Sequence, residues 1–173
     1  MKFATTLVQT RFKSPLGILI AAATTKGLAG VWFDDQRHLP PQLTGAEAWR
    51  TGDNHPLLKR TVNQLKDYFA GTRTVFDLPL DLSHGTLFQQ TVWQTLLAIS
   101  SGDTASYRDI SVRISKPSAV RAVGAAIGRN PVSIIVPCHR VIGADGSLTG
   151  YAGGIHRKTA LLTLEGVFKE TNF

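Results

Sequence analysis

SYRDISVRISKPSAVRAVGAAIG, residues 106 to 128, is the stretch on which the fold turns. Tyr107, Ile110 and Ile114 recur at helical spacing and share one face of a first helix. Ser115-Lys116-Pro117 breaks it, because proline has no N–H to give and disfavours helical backbone in the residue before it. Ser118 to Gly128 restores the helical period, with Val120, Val123 and Ile127 as the inward stripe. Two short helices joined by a turn of about three residues have the pattern of a helix-turn-helix. Apart from Arg121, the rest of the second helix is mostly Ala119, Ala122, Gly124, Ala125 and Gly128. A helix so poor in bulk can bring its backbone close to a nucleic acid, or pack tightly inside its own protein. Spacing alone leaves both open.

Toward the N-terminus the period changes. Phe88, Val92, Leu96 and Ile99 mark a helix that starts near Thr86, a good N-cap residue, and ends near Ser100-Ser101-Gly102. Leu58, Val62, Leu65 and Phe69 predict an amphipathic helix from Pro56 to Ala70, stopped by Gly71. Val75 to Leu80 is compatible with a strand. Asp34 to Asn54, with Pro40-Pro41 and Gly45, reads as loop or ragged helix. Before it, Ala4 to Phe12, Ile18 to Ala23 and Leu28 to Phe33 read as strands separated by turns at Ser14-Pro15-Leu16-Gly17 and Thr25-Lys26-Gly27, an antiparallel meander. The boundary between a β-rich and a helical half falls between Leu80 and Thr86, giving parts 1–83 and 84–173.

Past the second helix, an apolar run from Asn130-Pro131 delivers Val136-Pro137-Cys138-His139-Arg140. A lone cysteine is most often a buried, inert apolar residue. Here a proline ends the run at a turn, and an imidazole and a guanidinium follow. Positive charge nearby lowers a thiol's pKa, and the thiolate is the nucleophile. Adjacency does not establish contact, since on a straight strand Cys138 and His139 would point opposite ways.

Composition narrows the classes. With 173 residues, 43% hydrophobic and 18% charged, the chain is an ordinary globular protein of one domain or two small subdomains. Lys and Arg outnumber Asp and Glu by 19 to 12. Thr104 to Arg140 carries six basic residues against Asp109 alone, either a solvated face or the footprint of a polyanion. A single cysteine excludes an internal disulfide and any multi-cysteine zinc cage. Without an apolar leader or membrane-length run, the chain is expected to be soluble and cytoplasmic.

At Pro137-Cys138-His139-Arg140-Val141 the chain strongly resembles the O6-alkylguanine-DNA alkyltransferases. Phe88-Gln89-Gln90-Thr91-Val92-Trp93, Ser106-Tyr107, Arg121-Ala122-Val123-Gly124, Asn130-Pro131, Gly150-Tyr151-Ala152-Gly153-Gly154, Lys158 and Leu161 to Gly166 match in the same order. Ser14-Pro15-Leu16-Gly17 extends a weaker match toward the single-domain bacterial form. The resemblance implies an α+β fold: a small ribonuclease H-like antiparallel sheet with a helix, packed on a helical, winged-helix-like part containing the helix-turn-helix.

The resemblance also implies roles. Cys138 would take the alkyl group irreversibly from O6-methylguanine, and from O4-methylthymine, in duplex DNA, once per molecule. Glu165 would orient His139, and His139 would take the thiol proton through a bound water, in the logic of a triad. Asn130 would hold the turn that presents this segment. Tyr107 would hydrogen-bond N3 of the base and protonate it. The Ala152 N–H and the carbonyls of Cys138 and Val141 would read the base edge, with Tyr151, Gly153 and Gly154 shaping the pocket. The second helix would enter the minor groove, where Arg121 fills the space left by the extruded base. Ala122 and Ser106 would also meet the DNA, with Lys116 and Arg129 on phosphates. No cofactor or metal, a monomer and no membrane partner are expected.

Two departures stand out: Ser133 where many relatives have proline, and Ala152 where some have serine. A zinc site that some relatives build with two cysteines cannot form here, so His55 and His84 are expected to be plain surface or structural residues, and His38 and His156 carry no signal. Lesion-flagging relatives carry tryptophan at the cysteine position, and Cys138 argues against that reading. A transcriptional activator would need more cysteines and length, and an unrelated cysteine hydrolase would not explain Arg121.

Overall fold

The computed structural model describes Phe3, residues 7–44 and residues 48–168, and it divides into two units, Met1–Thr86 with Pro131–Ser133, and Leu87–Asn130 with Ile134–Phe173. The fold is mixed α+β, with the sheet in the first unit and most of the helices in the second.

In the first unit β1 (Val8–Ser14), β2 (Gly17–Ala23) and β3 (Leu28–Phe33) form the expected antiparallel meander; Ala4 to Thr6, the start of the expected first strand, lie outside the described residues. The first hairpin closes on Pro15-Leu16, with Ser14 paired to Gly17. The Ser14 hydroxyl donates to the Gly17 carbonyl at 2.7 Å and accepts from the Leu16 N–H at 3.2 Å, which fixes the register. β4 (Arg50–Thr51) pairs in parallel with Val8 and Gln9, giving a four-stranded order β3-β2-β1-β4. This short strand lies within the stretch expected to be loop or ragged helix, and Gly45 lies outside the described residues. β3 is buried along its whole length. At Gly30 a Cβ would sit 1.7 Å from the Trp32 ring, so only glycine lets that indole lie in the core beside Leu7, Ile20, Leu43 and Trp49.

α1 (Pro56–Phe69) matches its predicted limits, and Gly71 follows with φ 73°. Its inward face is rotated from the predicted stripe. Leu58 and Leu65 are buried, but their companions are Thr61, Gln64 and Tyr68, with Val62 and Phe69 only half-buried. The polar members bring their own partners. Thr61 donates to the Leu57 carbonyl at 2.9 Å, while the Gln64 amide donates to the Asp77 carbonyl at 3.1 Å and accepts the Asp77 N–H at 2.9 Å. That amide serves as a strand partner for Asp77, and Val75 to Leu80 forms no strand. Only Leu80 bridges Leu28, flanked by Leu28 N–H to Pro79 O at 2.8 Å and Asp81 N–H to Leu28 O at 2.9 Å. Pro79 has no N–H with which to extend the ladder.

Pro131–Ser133 adds to the same sheet. The Val31 N–H donates to Pro131 O and the Ser133 N–H to Val31 O, both at 2.9 Å. A proline at 133 would lack that donor. The buried Ser133 hydroxyl also donates to Gln36 Oε1 at 3.3 Å. The apolar run to Pro137 is not a continuous strand: Val132 makes one bridge, and Ile134 turns the chain at φ 73°, a costly conformation for a β-branched residue.

The second unit holds α2 (Leu87–Leu96), β5 (Ala105–Ser106), α3 (Tyr107–Arg113), α4 (Val120–Ile127), β6 (Val141–Ile142) and α5 (Ile155–Leu164). α2 buries Val92, Trp93 and Leu96, and the Trp93 indole N–H donates to the Ala126 carbonyl at 2.8 Å, tying α2 to α4. α3 opens with a capping box in which Ser106 and Asp109 exchange side-chain and backbone hydrogen bonds. Helix-turn-helix geometry is present, but the connection runs from Ile114 to Ala119, longer than expected, because Ser115 takes a left-handed turn at φ 59° and α4 starts only at Val120. Val123, Ala126 and Ile127 form the buried stripe of α4, with Val120 only half-buried. Parallel pairing of Ala105 with Val141 and of Ser106 with Ile142 brings the start of α3 beside the segment that follows Cys138.

Candidate active site

Asn130, the residue after α4 and Arg129, is buried. Its amide donates to the Val136 carbonyl at 2.8 Å and to Cys138 Sγ at 3.0 Å. Both bonds come from one side chain, so the turn and the sulfur are positioned together. Cys138, His139 and Arg140 form a single 3-10 turn, which sends three consecutive side chains in different directions.

His139 is fully buried, and its Nε2 lies 2.8 Å from Glu165 Oε1. A carboxylate oxygen can only accept, so Nε2 carries the hydrogen and Nδ1 is left with its lone pair in the neutral ring. Nδ1 is buried with no hydrogen-bonding partner among the described residues. Burial pulls the imidazole below its ordinary value, with Glu165 pulling back up, which favours the neutral base.

Glu165 caps the C-terminal end of α5 and is held from two sides. Arg140 Nε donates to Oε2 at 2.8 Å and Nη2 to Oε1 at 2.8 Å, a bidentate pair, while Nη1 donates to the Ile99 carbonyl at 2.5 Å. Arg140 therefore serves the carboxylate and turns away from the sulfur.

The expected electrostatics of the thiol need correction. Cys138 is buried, and burial pushes its thiol above the ordinary range rather than below it. The Asn130 N–H and the Lys158 ammonium pull the other way. Lys158, on α5, is the charged side chain that opposes the effect of burial on the sulfur, while His139 contributes through its backbone rather than its ring. Its ammonium is wholly buried and donates to the carbonyls of Val141 at 2.5 Å, Thr149 at 2.7 Å and Gly150 at 3.4 Å. Burial brings its pKa down to about 8, with Cys138 opposing that fall. From sequence, Lys158 is only a point of resemblance and Arg140 only a positive charge next to the thiol; no spacing rule links either to partners so far along the chain.

The remaining expected site residues fall in two groups. Tyr107, half-buried at the start of α3, donates its hydroxyl to the Thr149 carbonyl at 3.3 Å, which brings α3 to the loop gripped by Lys158. Val141 and Gly153 are buried, and Tyr151 and Ala152 are half-buried in the stretch before α5. Gly154 opens that helix at φ 91°, a conformation that favours glycine. Arg121 and Ala122 lie on the exposed side of α4, with Lys116 before it and Arg129 after it also exposed. None of these three cations makes an ion pair among the described residues. Ser106 is committed to the α3 cap. His84 is structural rather than superficial: its ring lies 4.5 Å from that of Phe3 and its Nε2 3.8 Å from Asp81.

Among the described residues no group of three His, Cys, Asp or Glu could hold a metal ion, and no helix is long and apolar enough to cross a membrane.

Residues 7–82 match the family model of the 6-O-methylguanine DNA methyltransferase ribonuclease-like domain, and residues 87–167 that of its DNA binding domain. A methylated-DNA–protein-cysteine methyltransferase of Mycobacterium tuberculosis is 62% identical over 104 residues, a stretch taking in 60% of this chain and 62% of that protein's length. Its Mycobacterium leprae namesake is 47% identical over 152 residues, 88% of each chain. The crystal structure of Mycobacterium tuberculosis OGT in complex with DNA superposes with a TM-score of 0.82 at 47% identity, covering 91% of this chain and 92% of that one.

Proposed function

This chain belongs to the 6-O-methylguanine DNA methyltransferase family, and from that premise we propose that it repairs O6-alkylated guanine in duplex DNA by moving the alkyl group onto Cys138. The observation that carries the reading is the buried Cys138 sulfur held by Asn130, with His139 next in the chain hydrogen-bonded to Glu165.

The reaction follows from those groups. The thiol proton passes to His139 Nδ1, directly or through one water, because Nε2 is committed to Glu165. Sulfur then forms a bond to the alkyl carbon as the carbon–O6 bond breaks, and the electron pair of the broken bond goes to the purine. A proton from Tyr107 neutralises the departing base. Its present bond to the Thr149 carbonyl is long and readily exchanged for one to the base. The balance closes without a cofactor: a thiol and an O6-alkylguanine in DNA become a thioether and an unmodified guanine still joined to its sugar, and the proton taken by His139 returns to the Tyr107 oxygen through solvent. A thioether sulfur is a very poor leaving group, so each molecule reacts once.

Residues 84–173 would carry both the chemistry and the DNA contact. α4 offers Arg121 on an exposed face otherwise lined by Ala122 and Ala125, consistent with close approach to the minor groove. Lys116 and Arg129 suit phosphates on either side. Raising the thiol by burial has a purpose in this scheme, since a mostly protonated sulfur is spared adventitious oxidation until a base is seated.

The test is intact mass after incubation with duplex containing O6-methylguanine. One methylene gained per molecule, mapped to Cys138 and absent from Cys138→Ser, is the expected result. A wild-type chain that binds the duplex and stays unmodified under reducing conditions refutes the reading. A duplex carrying O4-methylthymine extends the same measurement to that substrate.

A further inference from the structure

We propose that the N-terminal unit carries a second DNA contact, a basic groove between β1 and α1 that takes a phosphate backbone. The inference rests on the reading that the chain works on duplex DNA. Two grooves of about 310 Å³ each meet at Phe12. Lys13 and Lys66 border one, and Arg11 and Lys59 the other. All four side chains are exposed.

Their spacing is regular for physical reasons. Arg11 and Lys13 are two apart on a strand and project to the same side, roughly 7 Å from each other. Lys59 and Lys66 are seven apart on α1, two turns along one face, roughly 10 Å from each other. Two rows of positive charge thus flank the open edge of β1, within reach of neighbouring phosphates of one strand.

The charges are also uncommitted. Arg60 and Arg73, nearby on and after α1, are paired with Asp77 and Asp67. Lys13, Lys59 and Lys66 make no ion pair among the described residues, and Arg11 gives only a long bond to the Leu43 carbonyl. The single carboxylate in the groove, Asp53, is engaged by the Thr10 hydroxyl at 2.6 Å.

Another explanation for the β1 cations has to be separated. Beyond Gln9, β1 has no strand on its outer edge among the described residues, and charged side chains protect open edges from pairing with another chain. Either sign of charge serves that purpose, whereas only positive charge binds phosphate.

Full-length K13E/K66E and R11E/K59E would be titrated against an undamaged duplex over a range of salt, with K26E/R37E as a control of equal net charge. Each of the first two variants is expected to flatten the dependence of log affinity on log salt by about 2, near 0.9 for each phosphate that is no longer neutralised. The control keeps the wild-type slope, and all variants react with free O6-benzylguanine at the wild-type rate, which reports an intact fold and thiol. Groove variants sharing the wild-type slope overturn the second contact and leave edge protection as the role of these charges. A wild type without affinity for any duplex, or one that takes no methyl group from a methylated one, refutes the repair reading instead.

Discussion

Arg140 and Glu165 form a closed pair whose disruption has a calculable consequence. Their side chains are 7% and 1% exposed, and two hydrogen bonds of 2.8 Å join them. Glu165→Gln leaves a buried guanidinium facing a neutral amide; Arg140→Met leaves a buried carboxylate to which the neutral His139 still donates. Removing one member of a buried pair costs about 3–5 kcal/mol, because the other charge stays desolvated and unmatched. For a chain of this size that lowers Tm by about 2–4 °C per kcal/mol, so each single variant should lose roughly 6–20 °C. The double variant R140M/E165Q removes both charges, and its loss of stability should fall short of the sum of the single losses by about 2–3 kcal/mol. Urea unfolding of the four proteins measures the cycle. The second readout is single-turnover transfer from methylated duplex: Glu165→Gln and the double variant should both fall by about 10²–10⁴, the usual contribution of a positioned base. Stability losses that add within about 0.5 kcal/mol would show that the pair is not the closed electrostatic unit described above.

Other perturbations isolate the remaining parts of the site. Lys158→Met removes the cation beside the sulfur, so the pH profile for alkylation of Cys138 by iodoacetamide should move to higher pH; a profile that stays put would remove Lys158 from the electrostatics of the thiol. Arg121→Ala should slow repair of duplex by at least about tenfold, a part of the few kcal/mol that base extrusion requires, yet leave reaction with free O6-benzylguanine unchanged. Equal losses on both substrates would rule out a role in extrusion. His139 has its pKa lowered by burial, so as pH falls below about 6.5 the unfolded chain binds protons that the folded chain resists. Stability should therefore drop from pH 7 toward pH 5, and by less in His139→Asn; parallel curves for the two proteins would contradict that assignment.

What can be read from the residues, and what cannot, divides along the range of the interactions. Ser14-Pro15-Leu16-Gly17 and the Gly71 stop announce themselves because turn chemistry is local. α3 and α4 are legible from their apolar period, although the left-handed Ser115 lengthens the connection. The inward face of α1 is not, because Gln64 looks like a surface residue until the Asp77 backbone arrives to satisfy both ends of its amide. The thiol's surroundings escape sequence reasoning for a similar reason. His139 and Arg140 are adjacent in sequence, but both turn to Glu165, while the cation that matters comes from Lys158. A lysine within a helix carries no mark that three carbonyls will enclose it. The Cys-His pair is evident from its neighbours; the groups that set its chemistry lie 20 to 27 residues further on.

Lys158 has a consequence for what this scaffold will tolerate. Its ammonium grips the chain at Val141 on one side and at Thr149 and Gly150 on the other, so the ends of the intervening excursion are already fixed. Within it, Gly143 and Ser147 close a small turn whose tip, Gly146, has open space around it. Closing a longer flexible loop between fixed ends adds only about 0.6 kcal/mol for each doubling of its length. The tip is therefore a natural insertion point, where a peptide tag or a foreign recognition segment can be spliced within a few residues of the reactive sulfur's own support without loosening it.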